Sequence, residues 1–222
     1  MTKRFLDLTA MAAAVLLASA AMATPYLDDI IPGMEHIGPS GVDLVTLTDL
    51  TFPETSMATL LLEYAAYESG FGIYDPKTLS RLQVFDGDAE PTFPSMTQTE
   101  IQFDLVLGTA TITKSYKPSL VGTTFGFYLD SNASGTIYYT ESFHNPQGAT
   151  HGLIYNTSDA NVIVAFEDLP VSSWVGGEPD YDDFVVQVTD VSPIPEASTL
   201  MLFGSGLSGL MYLARKRRLI KL

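Results

Sequence analysis

The side chains best equipped for chemistry are carboxylates. Glu167 and Asp168 open a Gly-rich loop, and Asp180, Asp182 and Asp183 close it. If that loop folds back, five acids converge and repel one another unless a cation lies between them. Oxygen donors on loops suit Ca2+, which takes roughly six to eight oxygens, better than Mg2+, which gives up water reluctantly. A weaker candidate is Asp86, Asp88 and Glu90 in Asp86-Gly87-Asp88-Ala89-Glu90. This run alternates like an ion loop but lacks the length and terminal Glu spacing of an EF-hand. Ca2+ is thus the one cofactor expected, with a solvated acidic turn as the plain alternative in both places.

Little points to catalysis. The three histidines are His36, His144 and His151, the last two flanking Asn145-Pro146-Gln147-Gly148 as if to face each other across a hairpin. Without a third ligand they read as loop hydrogen-bonding groups rather than a zinc site. The chain has no Cys, which removes disulfides, thiolate metal sites and Cys nucleophiles together. It contains no Gly-x-Ser-x-Gly elbow, phosphate loop or His-Glu-x-x-His run. No catalytic residue is assigned, and the expectation is a protein that is not an enzyme. Trp174, Tyr138 and Tyr139 offer rings that stack on sugars, although aromatics on strands more often fill a core.

The two ends position this chemistry outside the cell. Lys3 and Arg4 precede an apolar run that ends at Ala21-Met22-Ala23, a small-x-small site expected to be cut after Ala23 as a signal peptide. At the other end, residues 197–214 form an uncharged, mainly apolar stretch of 18, followed by Arg215, Lys216, Arg217 and Arg218. This reads as a transmembrane helix with its basic end held in the cytoplasm. Residues 1–23 are therefore the signal peptide, 24–41 an irregular lead-in, 42–192 one β domain and 193–222 a sorting tail. Between the ends, residues 24–193 carry twenty-four acids against Lys77, Arg81, Lys114 and Lys117, a net charge of −20 that the whole-chain value of −15 hides. Nucleic acid is excluded as a partner, and divalent cations are attracted.

From Val42 to Val191 short apolar runs alternate with turn residues, eleven in all, as antiparallel strands do. They include Ala58–Tyr67, Thr136–Phe143 and Phe184–Val191. Met57 to Tyr67 has the composition of a helix, but it flows without a cap into Ser69-Gly70-Phe71-Gly72-Ile73-Tyr74 and reads as a strand. The fold class expected is all-β, an antiparallel β-sandwich of jelly-roll kind. A faint echo links Phe71-Gly72-Ile73-Tyr74-Asp75 to Phe125-Gly126-Phe127-Tyr128-Leu129-Asp130.

The run Pro193-Ile194-Pro195-Glu196-Ala197-Ser198-Thr199, the apolar span and the Arg-rich end together resemble the PEP-CTERM tail. That family is read by exosortase-type membrane proteases of Gram-negative bacteria that make exopolysaccharide. The motif residues are Pro195, Glu196 and Ala197, with Ala197 where the family has a second Pro. The resemblance implies an inner-membrane intermediate, processing near Pro195, and release to the cell surface or extracellular matrix. Ala165-Phe166-Glu167-Asp168-Leu169-Pro170, followed by Gly176-Gly177-Glu178-Pro179-Asp180-Tyr181-Asp182-Asp183-Phe184, is similar to the close of the DUF4114 family. That likeness implies a β domain with a divalent-ion site and no particular reaction. Two functions follow: a non-enzymatic surface or biofilm-matrix protein, or a calcium-dependent, lectin-like module that holds exopolysaccharide.

Overall fold

The computed structural model describes residues 25–50, 54–63, 68–87, 97–113, 115–157, 160–174 and 179–194. Numbered in chain order, the strands divide between two antiparallel sheets. One sheet holds β1 (Val45–Leu47), β3 (Gly70–Tyr74), β4 (Arg81–Phe85), β8 (Thr124–Ser131), β9 (Thr136–Tyr139) and β13 (Val191–Pro193), in the order β13-β1-β8-β3-β4 with β9 also on β8. The other holds β2 (Glu54–Glu63), β5 (Gln98–Asp104), β6 (Thr109–Ile112), β7 (Ser115–Ser119), β10 (Gly152–Thr157), β11 (Asn161–Phe166) and β12 (Phe184–Thr189). Its order is β10-β11-β12-β2-β5-β6-β7. The expected all-β, two-sheet class is what the chain adopts. The jelly-roll winding is not established by this strand order.

Alternation builds the core. Phe71, Phe127, Phe166 and Phe184 meet in one buried cluster with Leu60, Ile73 and Val186. The Phe71 ring stacks on Phe127 at 5.9 Å and on Phe184 at 5.8 Å. Burying each such ring contributes about 1.5–3 kcal/mol, so this cluster anchors β3, β8, β11 and β12 to one another.

The echo noted in the sequence has a structural cause. β3 and β8 pair so that Gly72 lies opposite Tyr128 and Tyr74 opposite Gly126. Each Gly-x-Tyr run thus supplies the ring that lies over the other's glycine. A Cβ on Gly126 would stand 2.5 Å from the Tyr74 ring, and one on Gly72 would stand 2.6 Å from the Tyr128 ring and collide with the Leu82 carbonyl.

Several expected boundaries move. β2 is a strand despite its helical composition, and residues 64–67 lie outside the described ones. Its run of leucines has a reason: Leu60 faces the core, while Leu61 and Leu62 pack into a second cluster on the other face. A register shift opposite Val185 and Val186, with Leu61 as the extra residue, lets the successive Leu61 and Leu62 serve the same face. The expected strand Thr136–Phe143 stops at Tyr139 and gives way to two 3-10 turns, Ser142–His144 and Pro146–Gly148. The expected strand Phe184–Val191 is two strands, because Asp190 turns the chain at φ +61° and β13 crosses to the other sheet. β7 was not anticipated. It carries Pro118, which is tolerated because β7 is an edge strand.

The lead-in is more ordered than its Pro and Gly content suggests. It contains a helical turn, α1 (Leu27–Ile30), whose Leu27 and Ile30 pack with Ile31 and Ile37 on Leu153, Tyr155, Ile163, Ala165 and Val185. Ser40 donates from its backbone N–H to Ile154 O at 2.7 Å, and the Tyr155 hydroxyl donates to Pro25 O at 2.8 Å. The lead-in thereby covers the outer face of the second sheet and ties to its edge strand β10, where an open edge would invite another chain.

Candidate metal centre

Strand register builds the acidic site. β11 and β12 pair as far as Phe166 opposite Phe184, both buried in the core. The next residues, Glu167 and Asp183, therefore leave the sheet side by side. On the far side β10 pairs Gly152 with Phe166, and the Glu167 N–H continues that ladder by donating to His151 O at 2.9 Å. Three adjacent strands thus place His151, Glu167 and Asp183 on one rung.

Side chains then pin the segment after Phe166. His151 Nδ1 is 3.1 Å from Glu167 O, Ser131 Oγ donates to Asp168 O at 2.6 Å, and the Trp174 indole N–H donates to Leu169 O at 3.1 Å. A carbonyl only accepts, so His151 carries its proton on Nδ1. Burial lowers the His151 pKa and keeps the ring neutral, and its Nε2 is buried without a hydrogen-bond partner. Three consecutive carbonyls each take a side-chain donor, which fixes the direction in which Glu167 and Asp168 project.

The carboxylates converge as expected. Glu167, Asp180 and Asp183 each offer an oxygen within 4.8 Å of the others. Glu167 accepts backbone N–H bonds from Leu169 at 3.0 Å and Asp180 at 3.2 Å, and Asp183 accepts one from Asp168 at 2.8 Å. Tyr181, at φ +60°, turns the chain between Asp180 and Asp182, and its hydroxyl donates to Thr150 O at 3.1 Å. Asp168 is 2 % exposed, and its Oδ2 is buried with no well-formed hydrogen bond. The nearby Ser69 hydroxyl, itself buried, only partly offsets this by drawing the Asp168 pKa down.

Without a cation the cluster is electrostatically unfavourable. Burial first, then the Asp183 charge, pushes Glu167 up to about 8 and Asp168 up to about 7. Asp182 rises to about 6 through burial and its neighbour Asp180, and Asp183 is raised by burial and by Asp180. Buried acids set beside one another hold their protons more tightly than solvated ones.

The fit to Ca2+ rests on this geometry. Ligand oxygens about 2.4 Å from one ion lie no more than about 4.8 Å apart, a limit that the Glu167, Asp180 and Asp183 oxygens meet. All the donors are oxygen, and the unsatisfied Asp168 Oδ2 supplies a further group that a cation would complete. Asp168 abuts Asp183 and Asp182 abuts Asp180, so all five expected acids are brought together, three of them at mutual ligand spacing. Of the second candidate, Asp86 is exposed after β4, while Asp88 and Glu90 lie outside the described residues.

Sequence reasoning missed the groups that hold the site: Ser131 and the positioning role of His151. Their signal is weak because each acts through one hydrogen bond that a sequence does not display. Among the aromatic residues, Tyr139 and Trp174 are half-buried. Tyr138 is buried and stacks on His151 at 3.7 Å, Tyr139 meets Tyr74 edge-on at 4.9 Å, and Trp174 lies 5.3 Å from His151. His144 has other surroundings, 3.7 Å from Glu141 and beside Tyr139 and Phe143.

The chain leaves the sandwich through β13, and the Ile194 N–H still donates to Leu44 O at 2.9 Å. The family model of the PEP-CTERM protein-sorting motif matches residues 193–218. Residues 193–218 are a PEP-CTERM sorting motif. It marks an exported protein that passes through the membrane and is recognised by an exosortase. The PEP-CTERM motif begins inside the fold, at the last residue of β13. Its Pro195, Glu196, Ala197 and Arg215–Arg218 lie outside the described residues, as do Ala21 and Ala23 of the expected signal peptide. Among the described residues no helix is long and apolar enough to cross a membrane, and the segment 197–214 is not among them. No curated protein and no solved structure matches the chain. The likeness of the β domain to the DUF4114 family is not shown by these comparisons.

Proposed function

We propose that this chain is a non-enzymatic protein of the cell surface or extracellular matrix, associated with biofilm exopolysaccharide. An exosortase-type protease cuts it near Pro195 from an inner-membrane intermediate. Its β-sandwich, of jelly-roll kind, is stapled by Ca2+ held by Glu167, Asp180 and Asp183, with Asp168 and Asp182 beside them. The observation that carries this reading is the PEP-CTERM motif joined directly to the last strand of an acidic domain. A domain without Cys has no disulfide to secure its long loop outside the cell, and a cation bound at both ends of that loop does the same work. The histidines support a structural role, since His151 is spent on orienting Glu167 and His144 packs among aromatic rings.

Processing has a direct test. Mass spectrometry of the protein released by its native cells is expected to show a C-terminus near Pro195. A released chain that still ends at Leu222 would overturn the sorting step.

A further inference from the structure

We propose that an open cleft beside the acidic cluster binds a neutral polyhydroxylated ligand, one unit of an uncharged glycan. The cleft has a volume of about 270 Å³ and is lined by Glu68, Gln83, Asp130, Ser131 and Asn132, with glycine backbone between them. Its floor follows from register. Gly70 on β3 pairs with Asp130 on β8, and Gln83 reaches in from β4 on the other side. A Cβ on Gly70 would stand 3.1 Å from Gln83 Nε2 and 3.8 Å from the Asp130 Cβ, so the missing side chain is what keeps the space between them open.

The lining selects the ligand by chemistry. Carboxylates and carboxamides each present two coplanar polar atoms, which match pairs of adjacent hydroxyl groups as donors or acceptors. Among the described residues no Lys, Arg or His lines the cleft, so there a uronate, sulfate or phosphate meets only the two carboxylates. Among the described residues no apolar side chain lines it either, so these residues give a hydrophobic ligand little to bury against. Among the described residues, no third acid joins Glu68 and Asp130 at metal-ligand spacing. The volume lies just below the roughly 300–1,000 Å³ of drug-sized sites and suits a single ring.

The wall is preorganised. Ser131 is fully buried, its hydroxyl donates to Asp168 O at 2.6 Å, and it accepts the Ser134 N–H at 3.1 Å, which fixes the turn that carries Asn132. The cleft shares this wall with the acidic loop, yet its hydrogen bonds to a sugar need no cation. The inference goes beyond the proposed matrix role by assigning a ligand class to a separate site.

The full chain, with calcium present, is to be tested against an array holding neutral and acidic glycans, alongside Asp130→Ala and Gln83→Ala. Both residues are exposed, and the melting temperature serves as the check on folding. Neutral glycans are expected to bind, and each substitution is expected to weaken binding about tenfold without moving the melting temperature. Absence of binding, binding of acidic glycans only, or binding that survives both substitutions would overturn the proposal. A loss of bound calcium in Asp130→Ala would reassign the cleft to a cation and overturn it too. Since the acidic cluster is probed separately by Asp183→Asn, the two readings fail independently.

Discussion

Chelating calcium is expected to lower the melting midpoint of the full chain by roughly 5–10 °C. A ligand present at about a hundred times its Kd stabilises the folded state by about 2.7 kcal/mol, which is worth that shift for a domain of this size. The effect has a pH signature. Glu167 and Asp168 start from 4.5 and 3.8 and rise to about 8 and about 7 in the cation-free fold, so there the folded state binds protons more tightly than the unfolded chain. Their contribution is fully present below the unfolded values and is lost as pH climbs through the folded ones. The cation-free protein is therefore expected to weaken from about pH 4 to about pH 8, and calcium to stabilise it most at the upper end. Asp183→Asn supplies the control. The Asn carbonyl still accepts the Asp168 N–H while one negative charge disappears. This variant is expected to melt at or above the cation-free wild type and to ignore both calcium and chelator. Thermal melting with and without EDTA at two pH values checks all of these outcomes.

Adding one methyl group at Gly72 or Gly126 is expected to cost about 3 kcal/mol, at the upper end of the range for overpacked sites. The obstruction at Gly126 is the Tyr74 ring, which is fully buried and fixed by its hydroxyl donating to Glu141 Oε2 at 2.8 Å. At Gly72 the obstruction includes backbone, the Leu82 carbonyl, which does not swing away as a side chain does. Gly72→Ala is thus expected to be at least as damaging as Gly126→Ala. Pairing Gly126→Ala with Tyr74→Phe frees the ring from Glu141 and should recover part of the loss. Urea unfolding of the four proteins measures these differences, and near-native stability in Gly72→Ala would contradict the reciprocal ring-over-glycine packing.

Much of this arrangement was legible in the residues. The Glu167-Asp168 and Asp182-Asp183 pairs flank Phe166 and Phe184, and period-two alternation alone puts those rings in the core with the acids just past the strand ends. The repeated Phe-Gly-x-Tyr runs were visible too, but their meaning was not, because only the antiparallel register sets each tyrosine over the other's glycine. β7 escaped notice because Pro118 argues against a strand unless its edge position is known. The break at Asp190 escaped because a single left-handed residue moves the chain between sheets without interrupting the apolar pattern. The lead-in was read by composition, which reports turns but not the apolar face that Leu27, Ile30 and Ile37 present to the outer surface of the second sheet. Ser131 and His151 hold the site through single hydrogen bonds between segments far apart in sequence, and those depend on the finished fold.

The cation site is tested most directly by titrating calcium into the chelated full chain at pH 7 while following heat and proton release together. Saturable binding is expected, with release of about one proton per ion, because Glu167 and Asp168 hold protons there that the ion displaces. The release should fade by about pH 9, where both acids are already ionised. An absence of saturable binding by the folded chain, or binding that Asp183→Asn leaves unchanged, would contradict a calcium staple at Glu167, Asp180 and Asp183.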